Sequence, residues 1–328
     1  MSQSRIFKTL AMAALIAGAA LSSAEAKDTV TLYASNNTAA VDALLGVVAK
    51  AAPDLNVQVV SASTGALLTR IKAEASNPQA DVFWSAGFST LDSYKDSFQS
   101  HGTTADLPAD MIGRDNLWTG SNVHVMVLMV NERQLGELSA PKTWSDIFKP
   151  EWKGRLVFGD PVNSSSAYAQ LFGLYKLFGH EGLEKLARNA VIVNSSSSTY
   201  TAPAAGEYPL GITMEYSAQA YVAGGQKEIK LVYPSEGTFV SPEGMAIVKN
   251  APHVQAAARL IDIMASEEAQ AAIFEATYRR PANLHVDVNA RSSLPALQDV
   301  KVFAIDQNEA AASRDEVIAL WKDILAKQ

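Results

Sequence analysis

VQVVSASTGALLTRIKAEASNPQADVFWSAG, residues 57–87, changes its hydrophobic rhythm twice within one short stretch. Val57, Val59 and Val60 form a β-branched run that breaks into Ser61-Ala62-Ser63. Leu67, Leu68, Ile71 and Ala75 then recur at helical spacing, and Asn77-Pro78 stops the pattern because proline lacks the N–H a helix needs to continue. From Ala80 to Gly87 the chain is apolar again. A strand, a helix and a second strand in this order predict a crossover unit of a parallel α/β sheet.

The same pattern precedes it. TVTLYAS, residues 29–35, reads as a buried strand, and Val41, Leu44, Leu45 and Val48 place one apolar stripe on the helix that follows, with Pro53 just past its end. Further on, NVHVMVLMVN (122–131), GRLVFGD (154–160), AVIVNSS (190–196) and LGITMEY (210–216) predict strands, with a helix from Ser166 to Phe178 between the second and third. After KLVYPSEGTFVSPEGMAIVKN (230–250) the pattern is helical almost to the end, most clearly in 266–277 and 314–328. The fold class is therefore α/β. Strand-like crossings near 122–131 and 229–240 bracket a central block, which predicts two lobes, one built from residues 27–125 plus 236–328 and the other from 126–235.

Residues 1–26 read as a signal peptide: Arg5 and Lys8 precede an apolar core too short to span a bilayer comfortably, and Ala24-Glu25-Ala26 fits a small-x-small cleavage site. No later stretch has membrane-helix character. The chain has no cysteine, so an exported fold must rest on its packed core and not on disulfides. A net charge of −7 argues against nucleic acid or an anionic membrane as partner, yet leaves a small anion open, because backbone N–H groups act locally.

Catalytic patterns are missing: no G-x-S-x-G elbow, no phosphate-binding G-x-x-x-x-G-K-[ST], no H-E-x-x-H. The five histidines are scattered without metal-ligand spacing. The chain is read as a binding protein and not an enzyme, with no cofactor and no resident metal.

Candidate ligand contacts gather where strands end. Ser63-Thr64-Gly65-Ala66 and Ser164-Ser165-Ser166-Ala167 stand at strand-to-helix junctions, where free N–H groups of a first helical turn favour an anion and small side chains let it approach. Serine and threonine at such positions also serve as plain helix caps. Asn194 and Ser195 open a third cluster, NSSSST, with no clear helix after it. Ser85 and Gly87 end the third strand, and Asn36 ends the first. Glu215-Tyr216 closes LGITMEY; a carboxylate there can accept hydroxyls of a polyol or form a salt bridge. Arg279-Arg280 is a basic pair able either to reach a cleft or to cap a helix.

The leader, SASTGALLTRIKAEASNPQADVFWSAG, FGDPVNSSSAYAQL, LGITMEYSAQAYVAGG and SPEGMAIVKNAPHVQAAARLIDIMASEEAQ together resemble the periplasmic solute-binding proteins of ABC importers, in the branch of ferric-iron, phosphonate and sugar-phosphate binders. The resemblance covers essentially the whole mature chain. It implies a two-lobed type II clamshell, each lobe a mostly parallel sheet flanked by helices, a monomer in the periplasm, a small-molecule anionic ligand in the cleft, and a membrane ABC permease as partner. Iron binders of the branch carry two adjacent tyrosines where this chain has Glu215-Tyr216, with the next tyrosine at Tyr221. Five residues along a helix turn the second phenol away from the first. The resemblance thus implies a phosphorylated small molecule, held by the Ser63–Ala66 and Ser164–Ala167 helix starts, with Glu215 and Asn36 reading hydroxyls. The alternative is ferric iron with a synergistic anion, using Tyr216 and Glu215.

Overall fold

A computed structural model describes residues 28–328; the expected signal peptide lies outside them. The chain begins with the two predicted crossovers, β1 (Asp28–Ala34), α1 (Thr38–Ala51), β2 (Leu55–Ser61), α2 (Thr64–Ala73) and β3 (Val82–Gly87), followed by the short α3 (Phe88–Ser93) and β4 (Phe98–Gln99). The long β5 (Thr119–Asn131) leads to β6 (Leu156–Gly159), α4 (Ser165–Asn189), β7 (Ala190–Val193), α5 (Ser198–Ala205), β8 (Leu210–Met214), α6 (Glu215–Ala223) and β9 (Ile229–Val232). Then come β10 (Val240–Val248), α7 (Val254–Ala265), α8 (Glu267–Thr277), β11 (Arg280–Pro281), α9 (Gln307–Ala312) and α10 (Arg314–Ala326).

The strands lie in the order β2-β1-β3-β10-β5-β8-β6-β7. Pairing is parallel within each crossover set, β2-β1-β3 and β8-β6-β7, and antiparallel where β10 and β5 join them. The sheets are thus mixed, since strands that pass between the two sets run against the others. β5 performs the first passage: its residues 119–125 pair with β10, and 126–131 pair with β8 and β9. All of its residues are buried, which is why 122–131 reads as an unbroken apolar run.

The described residues form four apolar clusters, of which the two largest are the main cores. One packs Leu32, Leu44, Trp84, Ile247 and Leu260; the other packs Met126, Trp144, Phe158, Leu171 and Ile212. The second core also takes Val317, Trp321 and Ile324 of α10, with the Trp321 ring edge-on to Phe158 at 5.8 Å. α10 therefore packs with the middle of the chain, although all of 236–328 is expected to join its beginning, while α9 lies between the two, the Ala311 carbonyl accepting from Ser93 Oγ of α3 at 3.3 Å and the Ala310 carbonyl from the Tyr168 hydroxyl of α4. Reaching that position requires a third passage beside the two anticipated: Thr238 bridges Val302, its N–H donates to the Lys301 carbonyl at 2.8 Å, and its carbonyl accepts from Phe303 N at 2.8 Å. Amphipathic periodicity marks an apolar face on α10 but not which core receives it.

Candidate functional site

Three strand ends and their helices converge between the two cores. Asn37 caps α1 through Ala40 N, Ser63 Oγ caps α2 through Ala66 N, and Ser164 Oγ caps α4 through Ala167 N. The capping reading is thus right for Ser63 and Ser164, and Asn37 caps α1 in the same way. It does not exclude the other, because the same residues face one cavity of about 430 Å³. Asn36, Ser63 and Thr64 line it from one side, and Ser164, Asn194, Ser195 and Tyr216 from the other. The third serine cluster does begin a helix, α5, whose start escapes sequence reading because it is short and contains Pro203. α5 lies so close on β8 that a Cβ on Gly211 would run into the Thr199 carbonyl.

Eight of the expected residues do not line the cavity. Gly65 sits where the cores meet, its N–H donating to the Asn163 carbonyl at 3.3 Å, and Ala66 N serves the Ser63 cap. Ser165, Ser166 and Ala167 are buried in the first turn of α4, with Ser166 Oγ 3.0 Å from Ser164 Oγ and Ala167 packed over Gly159. Gly87 starts α3 beneath Ser241. Ser85 takes a positive φ of 83° and turns its hydroxyl away from the cavity to donate to Glu243 Oε2 at 2.7 Å. Such backbone in a residue other than glycine is held by its surroundings, here by Ser35 Oγ, which donates to the Ser85 carbonyl at 2.6 Å.

Glu215 is the main correction. It stands in the first turn of α6, not on a strand, and its carboxylate takes Arg280 Nε at 2.6 Å, Arg280 Nη2 at 2.9 Å and the Tyr233 hydroxyl. Neither a polyol nor a metal meets a free carboxylate there. The other member of the basic pair, Arg279, lines the cavity and is the sole charged side chain to do so among the described residues. Its Nη2 donates to the Tyr216 hydroxyl at 2.7 Å and its Nη1 to His124 Nε2 at 2.9 Å, while its buried Nε has no partner. Asn36 is 7 % exposed, and neither its Oδ1 nor its Nδ2 has a partner. A buried amide left wholly unpaired costs free energy that a ligand can recover.

Sequence reasoning passed over Ser35, Asn163, Ser196, Ser197, Tyr200 and Met214, which also line the cavity. Ser196 and Ser197 lay within the recognised run; the others carry no local signal. Burial pushes the Tyr200 hydroxyl up to about 12 and raises that of Tyr216 against the pull of Arg279, so both phenols stay protonated near neutrality. Among the described residues no group of three or more His, Asp or Glu is placed to hold a metal ion. A larger cavity of about 630 Å³ opens elsewhere, walled by Phe88, Trp118, Phe303 and Ile305, and receives none of the serine clusters.

Residues 77–312 match the family model described as bacterial extracellular solute-binding protein. The iron uptake protein A1 of Synechocystis sp. is 26% identical over 262 residues, covering 72% of this chain and 71% of that one. A protein of Salmonella typhimurium named for binding 2-aminoethylphosphonate in the periplasm is 22% identical over 297 residues, covering 83% and 84%. Among solved structures, the periplasmic binding protein AfuA of Actinobacillus pleuropneumoniae with fructose-6-phosphate bound superposes with a TM-score of 0.85 at 20% identity, covering 92% of this chain and 99% of that one. That likeness, with the two cores described above, makes the fold that of the type II periplasmic binding proteins.

Proposed function

The chain belongs to the bacterial extracellular solute-binding protein family, and on that premise we propose that it captures an organophosphate, a hexose phosphate foremost, in the serine-lined cavity and hands it to an ABC permease. The observation that carries this is the pairing, in one cavity, of Arg279 Nε and the whole Asn36 amide, all buried and without partners. An oxyanion accepts from Arg279 and from the serine-rich helix starts. A hydroxyl both donates to and accepts from an amide such as Asn36. The ligand is then anionic at one end and hydroxylated at the other. Residues 28–125 with 240–299 form one lobe in this reading, and 126–239 with 307–328 the other; closure brings both onto the ligand. The protein works in the periplasm as a monomer.

The donor set supports iron less well. Tyr216 is hydrogen-bonded to Arg279, Glu215 is paired with Arg280, and no carboxylate lines the cavity among the described residues. Calorimetric titration with glucose 6-phosphate, fructose 6-phosphate, the parent sugars and ferric citrate separates the readings. Heat with a sugar phosphate and none with its parent sugar is expected. Binding of ferric citrate alone, with a visible charge-transfer band, would replace the organophosphate by iron.

A further inference from the structure

Arg279 does not bring a net charge to the cavity. Glu243, 2 % exposed on β10, lies behind it, with Oε2 3.4 Å from Arg279 Nη1. Burial works against a charge on Glu243, but the Arg279 guanidinium and the donating Ser85 hydroxyl hold its carboxyl well below the usual carboxylate range. His124 Nε2 stands 3.0 Å from Glu243 Oε2 and 2.9 Å from Arg279 Nη1 and can serve only one of them. Burial pushes its pKa down, so the neutral ring accepts from Arg279 and adds no charge. Arg280 is cancelled in the same way by Glu215. Two arginines thus face two carboxylates.

Resting on the ligand reading above, we propose that this balance makes the cavity select a tetrahedral oxyanion by shape and by neutral donors, not by a second negative charge, so that sulfate esters of polyols bind alongside phosphate esters. Glu243 sets that tolerance. Two devices let a site demand phosphate: surplus positive charge, which favours the dianion, or a carboxylate that accepts a proton from a P–OH group and repels a sulfate that has none. The cavity lining holds neither among the described residues. Apart from Arg279, whose charge Glu243 offsets, its donors are dipoles, the hydroxyls of Ser63, Thr64 and Ser195 and Ser164 at the start of α4, and these hold singly and doubly charged oxyanions alike.

The test is calorimetric titration of the full protein with glucose 6-phosphate and glucose 6-sulfate at neutral pH. In the wild type the two dissociation constants are expected to lie within about thirtyfold of each other, less than 332/(ε·r) assigns to an unscreened second charge. A larger preference for the phosphate overturns the proposal, and this measurement needs no variant. In Glu243→Gln, which keeps the shape and removes the charge, the preference for phosphate over sulfate should grow by about tenfold or more. An unchanged ratio in a folded variant removes Glu243 from the role. Binding of glucose 6-phosphate without the sulfate leaves the organophosphate reading standing and sinks this inference, whereas binding of neither sinks both.

Discussion

The main-chain N–H of Gly65 donates to the carbonyl of Asn163 at 3.3 Å, joining the first turn of α2 to the turn before α4 across the edge of the serine-lined cavity. α2 packs in the cluster of Leu67, Leu68, Phe83 and Leu91, and α4 in that of Leu171, Phe172 and Phe158, so the contact exists only while the two clusters are together. A Cβ on Gly65 would stand 3.2 Å from the Val162 carbonyl and 3.3 Å from Asn163 Cα, both backbone. The glycine is there for close approach, not for an unusual φ.

Gly65→Val should therefore weaken ligand binding without touching a ligand contact. Holding the cores apart lowers the population of the closed form, and the apparent dissociation constant rises by the same factor, about tenfold or more. Solution scattering should show a larger radius in the presence of ligand than for wild type. Equal affinity and equal radius would mean that the contact is incidental.

Arg279→Gln removes the one charged donor in the cavity wall. A hydrogen bond to a charged group contributes about 1.5–3 kcal/mol, so affinity for glucose 6-phosphate should fall about ten- to hundredfold. Titration calorimetry reads this directly, and an unchanged constant would place the oxyanion elsewhere.

Asn36→Ala should separate binding from stability. The ligand-free protein loses an amide that is buried and unpaired, so its denaturant midpoint should hold or rise, by up to about 1 kcal/mol. Affinity for the hydroxylated ligand should fall about tenfold. A clear loss of stability together with normal affinity would make Asn36 a structural residue.

Glu215→Ala is expected to do the opposite. It leaves Arg280 charged, 4 % exposed and deprived of its carboxylate, a loss of about 3–5 kcal/mol for a broken buried pair. Urea unfolding should show that loss, while affinity in the folded fraction stays near wild type because Glu215 does not line the cavity. A tenfold weaker dissociation constant with full stability would restore it as a ligand contact.

Acid should destabilise the ligand-free protein in two stages. Burial lowers the folded pKa of His124, and of His101, below the unfolded value near 6.5. The unfolded chain then takes up the proton first, so their contribution is complete above about 6.5 and is lost as pH falls through the lowered folded pKa values. Glu243, held down at about 2, contributes above its unfolded value of 4.5 and loses that contribution as pH falls toward 2. The melting temperature should be level above neutrality and decline in both windows, with the first decline shallower in His124→Gln. A rise on acidification would contradict the burial assigned to these rings.

What the sequence determined by itself was what short stretches can hold. The valine and leucine rhythms of 29–87 and 122–131 dictate strands and crossover helices, because side-chain period follows backbone geometry within a few residues. Ser63, Ser164 and Asn37 announce caps in the same local way. The gathering of Asn36, Ser63, Thr64, Ser164, Asn194, Ser195 and Tyr216 was legible once the strand ends of a parallel sheet were taken to lie along one edge. Tertiary structure alone decided the rest. Whether Arg279 or Arg280 reaches the cavity, and whether Glu215 is free or paired, depends on partners far away in the chain that share no pattern with them, Tyr216 for Arg279 and Arg280 for Glu215. The turn of Ser85 toward Glu243 and the packing of Trp321 on Phe158 are likewise set by which surfaces are left to fill when distant elements meet. Local periodicity says that a face is apolar or that a carboxylate stands at a helix start, and only the assembled neighbours say what that face or charge meets.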